Sequence, residues 1–165
     1  ANDIFFKPPS IMATFDAIPD NKYLCFGPNK SHYMSLPGGP VSWECPITAE
    51  IEPAFFAHVL AGGKPPLPEL NAEPVSRSGK VLKFKVKNCP ESAVGWFYVS
   101  WLPGQPRGWD ARDWARLEAV QGSHGEFTCA IPESLGAFDW FGGISFTLKA
   151  GSFAQQMSLS TKIYR

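Results

Sequence analysis

The stretch VLKFKVK, residues 81–87, decides the fold of the larger part of this chain. Apolar side chains stand at every second position, at Leu82, Phe84 and Val86, and lysines fill the positions between and after them. Successive side chains of a strand point to opposite faces of its sheet, so this period of two predicts one buried face and one solvated face. We therefore expect a strand that covers a core on one side.

Further strand-forming runs follow, separated by glycine, proline and serine turns. Short strands at such spacing are typical of an antiparallel β-sandwich of immunoglobulin or fibronectin-III type, which we expect over residues 80–165. The further predicted strands are 96–101, 125–131, 141–148 and 157–164. Alternation within the runs predicts an inner face made of Leu82, Phe84, Val86, Phe127, Cys129, Ile131, Ile144, Phe146 and Leu148.

Composition restricts the class of protein and of partner. The 165 residues include 16 prolines and 15 glycines, which interrupt the chain too often for a helical bundle, whereas 44% hydrophobic residues allow a core. The net charge is zero and the pI is about 7.0, so we expect no nucleic-acid partner. No apolar run approaches the roughly 20 residues of a membrane span, so we expect a soluble chain without a membrane partner.

The N-terminal part has a different pattern. Ile11, Phe15 and Ile18 form one apolar stripe of a predicted helix that begins at Pro8. The stretch KYLCF, residues 22–26, then predicts a short buried strand that runs into a turn. The order so far is helix, strand and loop.

A second helix and a linker complete this part. The helix is predicted from about Pro53 to Leu60, where Gly62 and Gly63 end it. Residues 64–79 are rich in proline and polar residues, a composition that predicts an extended linker. The predicted domains are therefore residues 1–63, a linker at 64–79 and the sandwich at 80–165.

Motifs for metals and cofactors are missing from the sequence. It contains no C-x-x-C pair, no H-E-x-x-H motif and no glycine-rich phosphate loop, so we expect neither a metal nor a cofactor. Cys129 alternates with apolar residues and is expected to be a buried thiol. A disulfide to Cys89 is the alternative for an exported protein, and the expected location is extracellular or in the secretory pathway.

Asp3 and His32 have the order that acyl-transfer chemistry uses. Nucleophilic acyl transfer needs a base that takes the hydroxyl proton and a carboxylate that fixes the tautomer of the base. In α/β-hydrolases the acid precedes the histidine, which lies on a loop after the last strand. Here Asp3 precedes a helix, a strand and the loop with His32. Simple solvent exposure is the alternative explanation for a histidine in a loop.

A family resemblance supports the catalytic interpretation. The segment NDIFFKPPS, a helix, the segment KYLCFGPNKSHYM, a further helix and a Gly-Gly-x-Pro-Pro linker follow one another. This arrangement resembles the C-terminal end of the catalytic domain in the PhoPQ-activated pathogenicity-related protein family, and more distantly it is similar to acetyl xylan esterase-type hydrolases. The resemblance implies that Asp3 is the triad acid, that His32 is the base and that Asn29 holds the loop turn. The family's β-sandwich tail is loosely matched by Trp101, Arg112, Asp113 and Trp114.

The sequence departs from the family pattern in its nucleophile. No G-x-S-x-G elbow occurs in the chain. The resemblance therefore implies a serine upstream of Ala1, in an N-terminal hydrolase portion from the same gene or a companion chain, and a small acyl compound as substrate. The chain alone would be inactive. The implied fold class is α+β, with the C-terminal elements of an α/β-hydrolase domain in residues 1–63 followed by the sandwich.

Aromatic residues in the second half allow a different function. Trp109 and Trp114 lie in the insert PGQPRGWDARDW, residues 103–114, whose composition predicts exposed rings. Exposed rings on such a scaffold stack on sugar faces, whereas buried rings fill the space between sheets. The alternative function is thus a non-catalytic binding module that recognises a glycan or a protein, with Trp109 and Trp114 as ligand-stacking residues.

Overall fold

The computed structural model describes residues 8–19, 22–27, 46–64, 66–72, 80–101, 113–133, 135–150 and 153–164, and Asp3, His32 and Trp109 lie outside them. The described helices are α1 (Pro8–Ala17) and α2 (Pro46–Leu60), and neither is long and apolar enough to cross a membrane. The described strands are β1 (Glu69–Ala72), β2 (Val81–Lys87), β3 (Val94–Trp101), β4 (Ala115–Glu118), β5 (Val120–Gln121), β6 (Glu126–Ala130), β7 (Phe138–Ala150) and β8 (Phe153–Ser160).

The described strands form two four-stranded antiparallel sheets. The first sheet has the order β1-β2-β6-β5 and the second has the order β4-β3-β7-β8. The longest strands hold the second sheet together, because β3 pairs with β7 from Val94↔Ser145 to Trp101↔Phe138. The predicted antiparallel β-sandwich is therefore confirmed.

The inner faces of the two sheets form the main core. Phe84 is fully buried, with its ring centroid 5.1 Å from that of Phe97 in the opposite sheet and 5.1 Å from that of Phe127 in the neighbouring strand. Eight of the nine predicted inner residues are buried, and Ile131 is half-buried. Lys85 is exposed. The predicted register is confirmed, since a slip by one residue would exchange the two faces.

Two glycines of β7 make room for aromatic rings on both sides of the second sheet. A Cβ atom at Gly142 would lie 2.7 Å from Cε1 of Phe84, which packs in the main core. A Cβ atom at Gly143 would lie 2.6 Å from the backbone oxygen of Leu159 and still closer to the ring of Trp96. Real side chains essentially never approach so closely, so these positions need glycine because of packing.

A second apolar cluster covers the outer face of the second sheet. The rings of Trp96 and Phe141 meet at right angles there, with centroids 6.0 Å apart. The N-terminal part supplies the cover, so the sheet is apolar on both faces. The covering side chains are Ile11 and Met12 of α1 and Leu24 and Phe26 of residues 22–27.

The end of α2 agrees with the prediction, but its start does not. The N–H groups of Gly62 and Gly63 donate to the carbonyls of Val59 at 3.0 Å and His58 at 2.9 Å, a Schellman motif with positive φ at both glycines. The predicted start at Pro53 is wrong, because the helix begins at Pro46 and contains Pro53. Its neighbour Ala54 is fully buried in the main core, and this packing outweighs the preference of proline for a first turn.

Two predictions about the chain between the helices and the sandwich are also wrong. Part of the predicted linker is β1, which pairs with β2 from Glu69↔Lys87 to Ala72↔Phe84, so the sandwich begins at Glu69. The sequence of β1, ELNA, has residues that strands disfavour, and pairing with β2 fixes it instead. Residues 22–26, predicted as a strand, form none.

The described cysteines remain thiols. Cys89 and Cys129 are both free, so the alternative of a disulfide between them is not realised. Burial raises the pKa of both thiols. Both groups are therefore protonated at neutral pH and are poor nucleophiles.

Candidate functional site

The two described elements that lie between the predicted acid and base in the sequence are on one face of the sandwich. Asp3 and His32 are outside the described residues, but α1 begins five positions after Asp3 and residues 22–27 end five positions before His32. Both elements belong to the cluster on the outer face of the second sheet. The described elements nearest to Asp3 and His32 in the sequence are therefore held on the same face.

Residues 22–27 are fixed to the last residue of β8. The N–H of Phe26 donates to Oγ of Ser160 at 3.0 Å, and the N–H of Ser160 donates to the carbonyl of Leu24 at 2.7 Å. The ring of Phe26 is buried and lies edge-on to Phe141 with centroids 5.6 Å apart. These residues, which we predicted to be a short buried strand, thus find hydrogen-bond partners at the end of β8.

Helix α1 is held on the same face by contacts from its middle and from its C-terminal end. Met12 packs in the cluster, and its Sδ lies 3.2 Å from the N–H of Ile163. Lys162 forms an ion pair with Asp16 at 2.9 Å. Lys22 connects α1 to the next segment, because its Nζ donates to the carbonyl of Ile18 at 2.8 Å. The helix and residues 22–27 are therefore positioned together.

The bond between Ser160 and Phe26 leads to a prediction. Ser160→Ala would leave the buried N–H of Phe26 without its acceptor, which should cost about 1–3 kcal/mol. We expect amide exchange at Phe26 to accelerate by about tenfold or more, measured by NMR on the 165-residue chain. Ser123→Ala, at an exposed turn, is the control and should leave this exchange rate unchanged. An unchanged rate in Ser160→Ala would show that the bond does not hold the segment.

An apolar cavity of about 370 Å³ lies between α2, residues 22–27 and β8. Burial, and secondarily the carboxylate of Glu69, raises the pKa of Tyr23 in its wall, so the phenol is neutral at pH 7. The cavity can therefore accept an apolar group with one hydroxyl beside it. Its lining residues are Tyr23, Leu24, Cys25, Phe55, Phe56, Met157 and Leu159.

The outward side of α2 beside this cavity is apolar and uncovered. Phe56 is 63% exposed, Val59 is 52% exposed and Leu60 is 86% exposed. The opposite side of the helix carries Ala54 in the main core, so residues 53–60 of α2 have apolar side chains on both sides. A helical segment that is hydrophobic all round is normally buried on all sides. We call Phe56, Val59 and Leu60 the α2 patch.

The structure corrects the expectation of two exposed tryptophans. Trp114 is 3% exposed, and its ring meets that of Phe141 edge-on with centroids 4.9 Å apart. It is therefore part of the cluster on the second sheet and presents no open face for a ligand. No local feature of the sequence indicates this burial, because Trp114 is the last residue of a proline- and glycine-rich insert of a kind that is typical of exposed loops.

The structure also describes His58 and other side chains of the types that bind metals. His58 is buried in α2, and its Nδ1 has no hydrogen-bond partner among the residues that the structure describes. Within the described residues, no group of three or more His, Cys, Asp or Glu side chains could hold a metal ion. Sequence analysis missed Ser160 as an anchor, since it lies 134 positions from Phe26 and has no local signal.

Comparisons with protein-family models, with curated proteins and with solved structures find no match for this chain.

Proposed function

We propose that this chain is the C-terminal part of a serine hydrolase of α/β-hydrolase type, in which Asp3 is the triad acid and His32 the base. The observation that carries the proposal is the common anchoring of α1 and residues 22–27 on one face of the second sheet. These are the elements next to Asp3 and His32 in the chain. The sandwich then acts as a rigid platform for the two residues.

The proposed roles follow from acyl-transfer chemistry. His32 takes the proton of a serine hydroxyl as the serine attacks the acyl carbon, and it later returns that proton to the leaving group. Asp3 accepts a hydrogen bond from the imidazole and stabilises its cation. The serine and the oxyanion-hole donors belong to the N-terminal hydrolase portion, and the substrate is a small acyl compound.

The α2 patch supports the same proposal. Exposed apolar surface of this kind marks a site of interaction with another protein part. In the hydrolase, α2 packs with one side on the sandwich and with the patch on the N-terminal portion. This arrangement would bury the helix on both sides, as its residues require.

The alternative function, a glycan- or protein-binding module, has less support. Of its two proposed stacking residues, Trp114 is buried. Of the two residues, the proposed stacking on a ligand then depends on Trp109.

Ester hydrolysis tests the proposal. The 165-residue chain alone should not hydrolyse p-nitrophenyl acetate, whereas the longer polypeptide that contains it, or its mixture with a companion polypeptide that carries the serine, should. A chain that hydrolyses the ester by itself would contradict the proposal. So would a longer enzyme that keeps full activity after this chain is removed.

A further inference from the structure

A groove of about 560 Å³ lies at the end of β2 in the first sheet, and it shares no lining residue with the cavity beside α2. The end of β2, the turn after it and the turn before β6 form its walls. A groove of this size accommodates a small ligand. Its lining residues are Asn71, Lys85, Val86, Lys87, Asn88, Cys89, His124 and Gly125.

One lysine that lines this groove, Lys85, differs from the other lysines of this region in its pairing. The ammonium group of Lys85 forms no ion pair or hydrogen bond with any described residue, although Glu126 lies opposite it in register. Glu126 pairs with Lys83 instead. The paired lysines of this region are Lys80 with Glu133 at 2.5 Å, Lys83 with Glu126 at 2.7 Å and Lys87 with Glu69 at 3.2 Å.

The other polar side chains of the groove are Lys87, which pairs with Glu69, and three groups that can donate hydrogen bonds. Asn71, Asn88 and His124 have no side-chain hydrogen-bond partner among the described residues, and none of the described residues that line the groove has a carboxylate. Cys89 adds no negative charge, because burial raises the pKa of its thiol. The groove therefore combines a cationic centre at Lys85 with several N–H donors.

The backbone around the groove is held in an uncommon conformation. Asn88 has φ 54°, His124 has φ 57° and Gly125 has φ 72°, all in the left-handed region. A Cβ atom at Gly125 would lie 3.0 Å from Cβ of Cys89, so the turn before β6 packs directly against the end of β2. Non-glycine residues in this region carry strain, which clusters at ligand sites.

We propose that this groove binds an oxyanion, the carboxylate or phosphate group of a small ligand. Lys85 supplies the charge, and Asn88 and His124 supply hydrogen-bond donors. An ionised acceptor strengthens each of these hydrogen bonds. The acidic group of a sugar acid and that of a phosphorylated compound would use the same partners. This site is independent of the proposed hydrolase.

The test is an NMR titration of the ¹⁵N-labelled 165-residue chain at low ionic strength with inorganic phosphate, with glucuronate and with glucose as the neutral control. We expect saturable shifts at Asn71, residues 85–89 and residues 124–125 with one or both anions, and none with glucose. The anion that binds more tightly identifies the source of the group.

Two lysine variants decide whether the groove itself is responsible. Lys85→Ala should weaken anion binding by about threefold to tenfold. Lys80→Ala, the control, removes the same charge at a carboxylate-paired position next to the other end of β2 and should change affinity less than about twofold. Both variants should keep the dispersed spectrum of the parent chain. Equal weakening by the two variants, shifts that do not saturate, or equal shifts with glucose would overturn the proposal.

Discussion

Replacement of His32 by alanine should reduce kcat of the intact hydrolase on the order of 10⁶-fold, because no other group would take the proton from the serine. Asp3→Asn should reduce it on the order of 10⁴-fold, since the imidazole would lose its orienting acceptor. Both effects are measured as kcat for p-nitrophenyl acetate in the longer polypeptide. Glu91→Gln, an exposed carboxamide replacement on the sandwich, is the control and should leave kcat unchanged.

The combination of the two substitutions separates a triad from two independent contributions. Asp3 acts through His32, so the double variant should be about as slow as His32→Ala alone. Thermal unfolding of each variant should match that of the parent protein. Additive losses, or activity within about tenfold of the parent in His32→Ala, would remove these residues from the triad.

Replacement of Phe84 by alanine should have the largest effect on stability. The ring is fully buried between Phe97 and Phe127, so its loss removes buried surface and leaves a cavity, at a cost of about 3–5 kcal/mol. Urea unfolding of the 165-residue chain, followed by tryptophan fluorescence, measures the change. Phe56→Ala is the matched control, because Phe56 is 63% exposed and its loss should cost about 0.5 kcal/mol or less.

A second substitution tests the packing around this ring. Gly142→Ala should cost about 1–3 kcal/mol in the parent chain, because its Cβ would meet the ring of Phe84. In a Phe84→Leu background the same change should cost at least about 0.5 kcal/mol less. If the Phe84→Ala variant does not fold, the loss of stability is measured on Phe84→Leu instead. Equal costs in both backgrounds would show that the ring does not dictate the glycine.

The sequence alone was sufficient to predict the parts of the fold in which buried residues recur at a short, regular spacing. Alternation in residues 81–87 identified the inner face of β2, and the same pattern identified the inner residues of β6 and β7. Pro8 marked the start of α1, and Gly62 marked the end of α2. These features depend on the geometry of a single element, which neighbouring residues encode directly.

Contacts between distant residues decided the rest. The strand β1 has residues of low strand propensity and exists because β2 offers it a partner. Trp114 is buried because Phe141 and the rest of the cluster on the second sheet lie against it, and residues 22–27 are held by Ser160 instead of a ladder. The chemistry of Asp3 and His32 was proposed from sequence, but the common face that carries their neighbouring elements emerged from the fold. Pairing partners and solvent exposure are properties of the assembled tertiary structure, so no local pattern of residues could specify them.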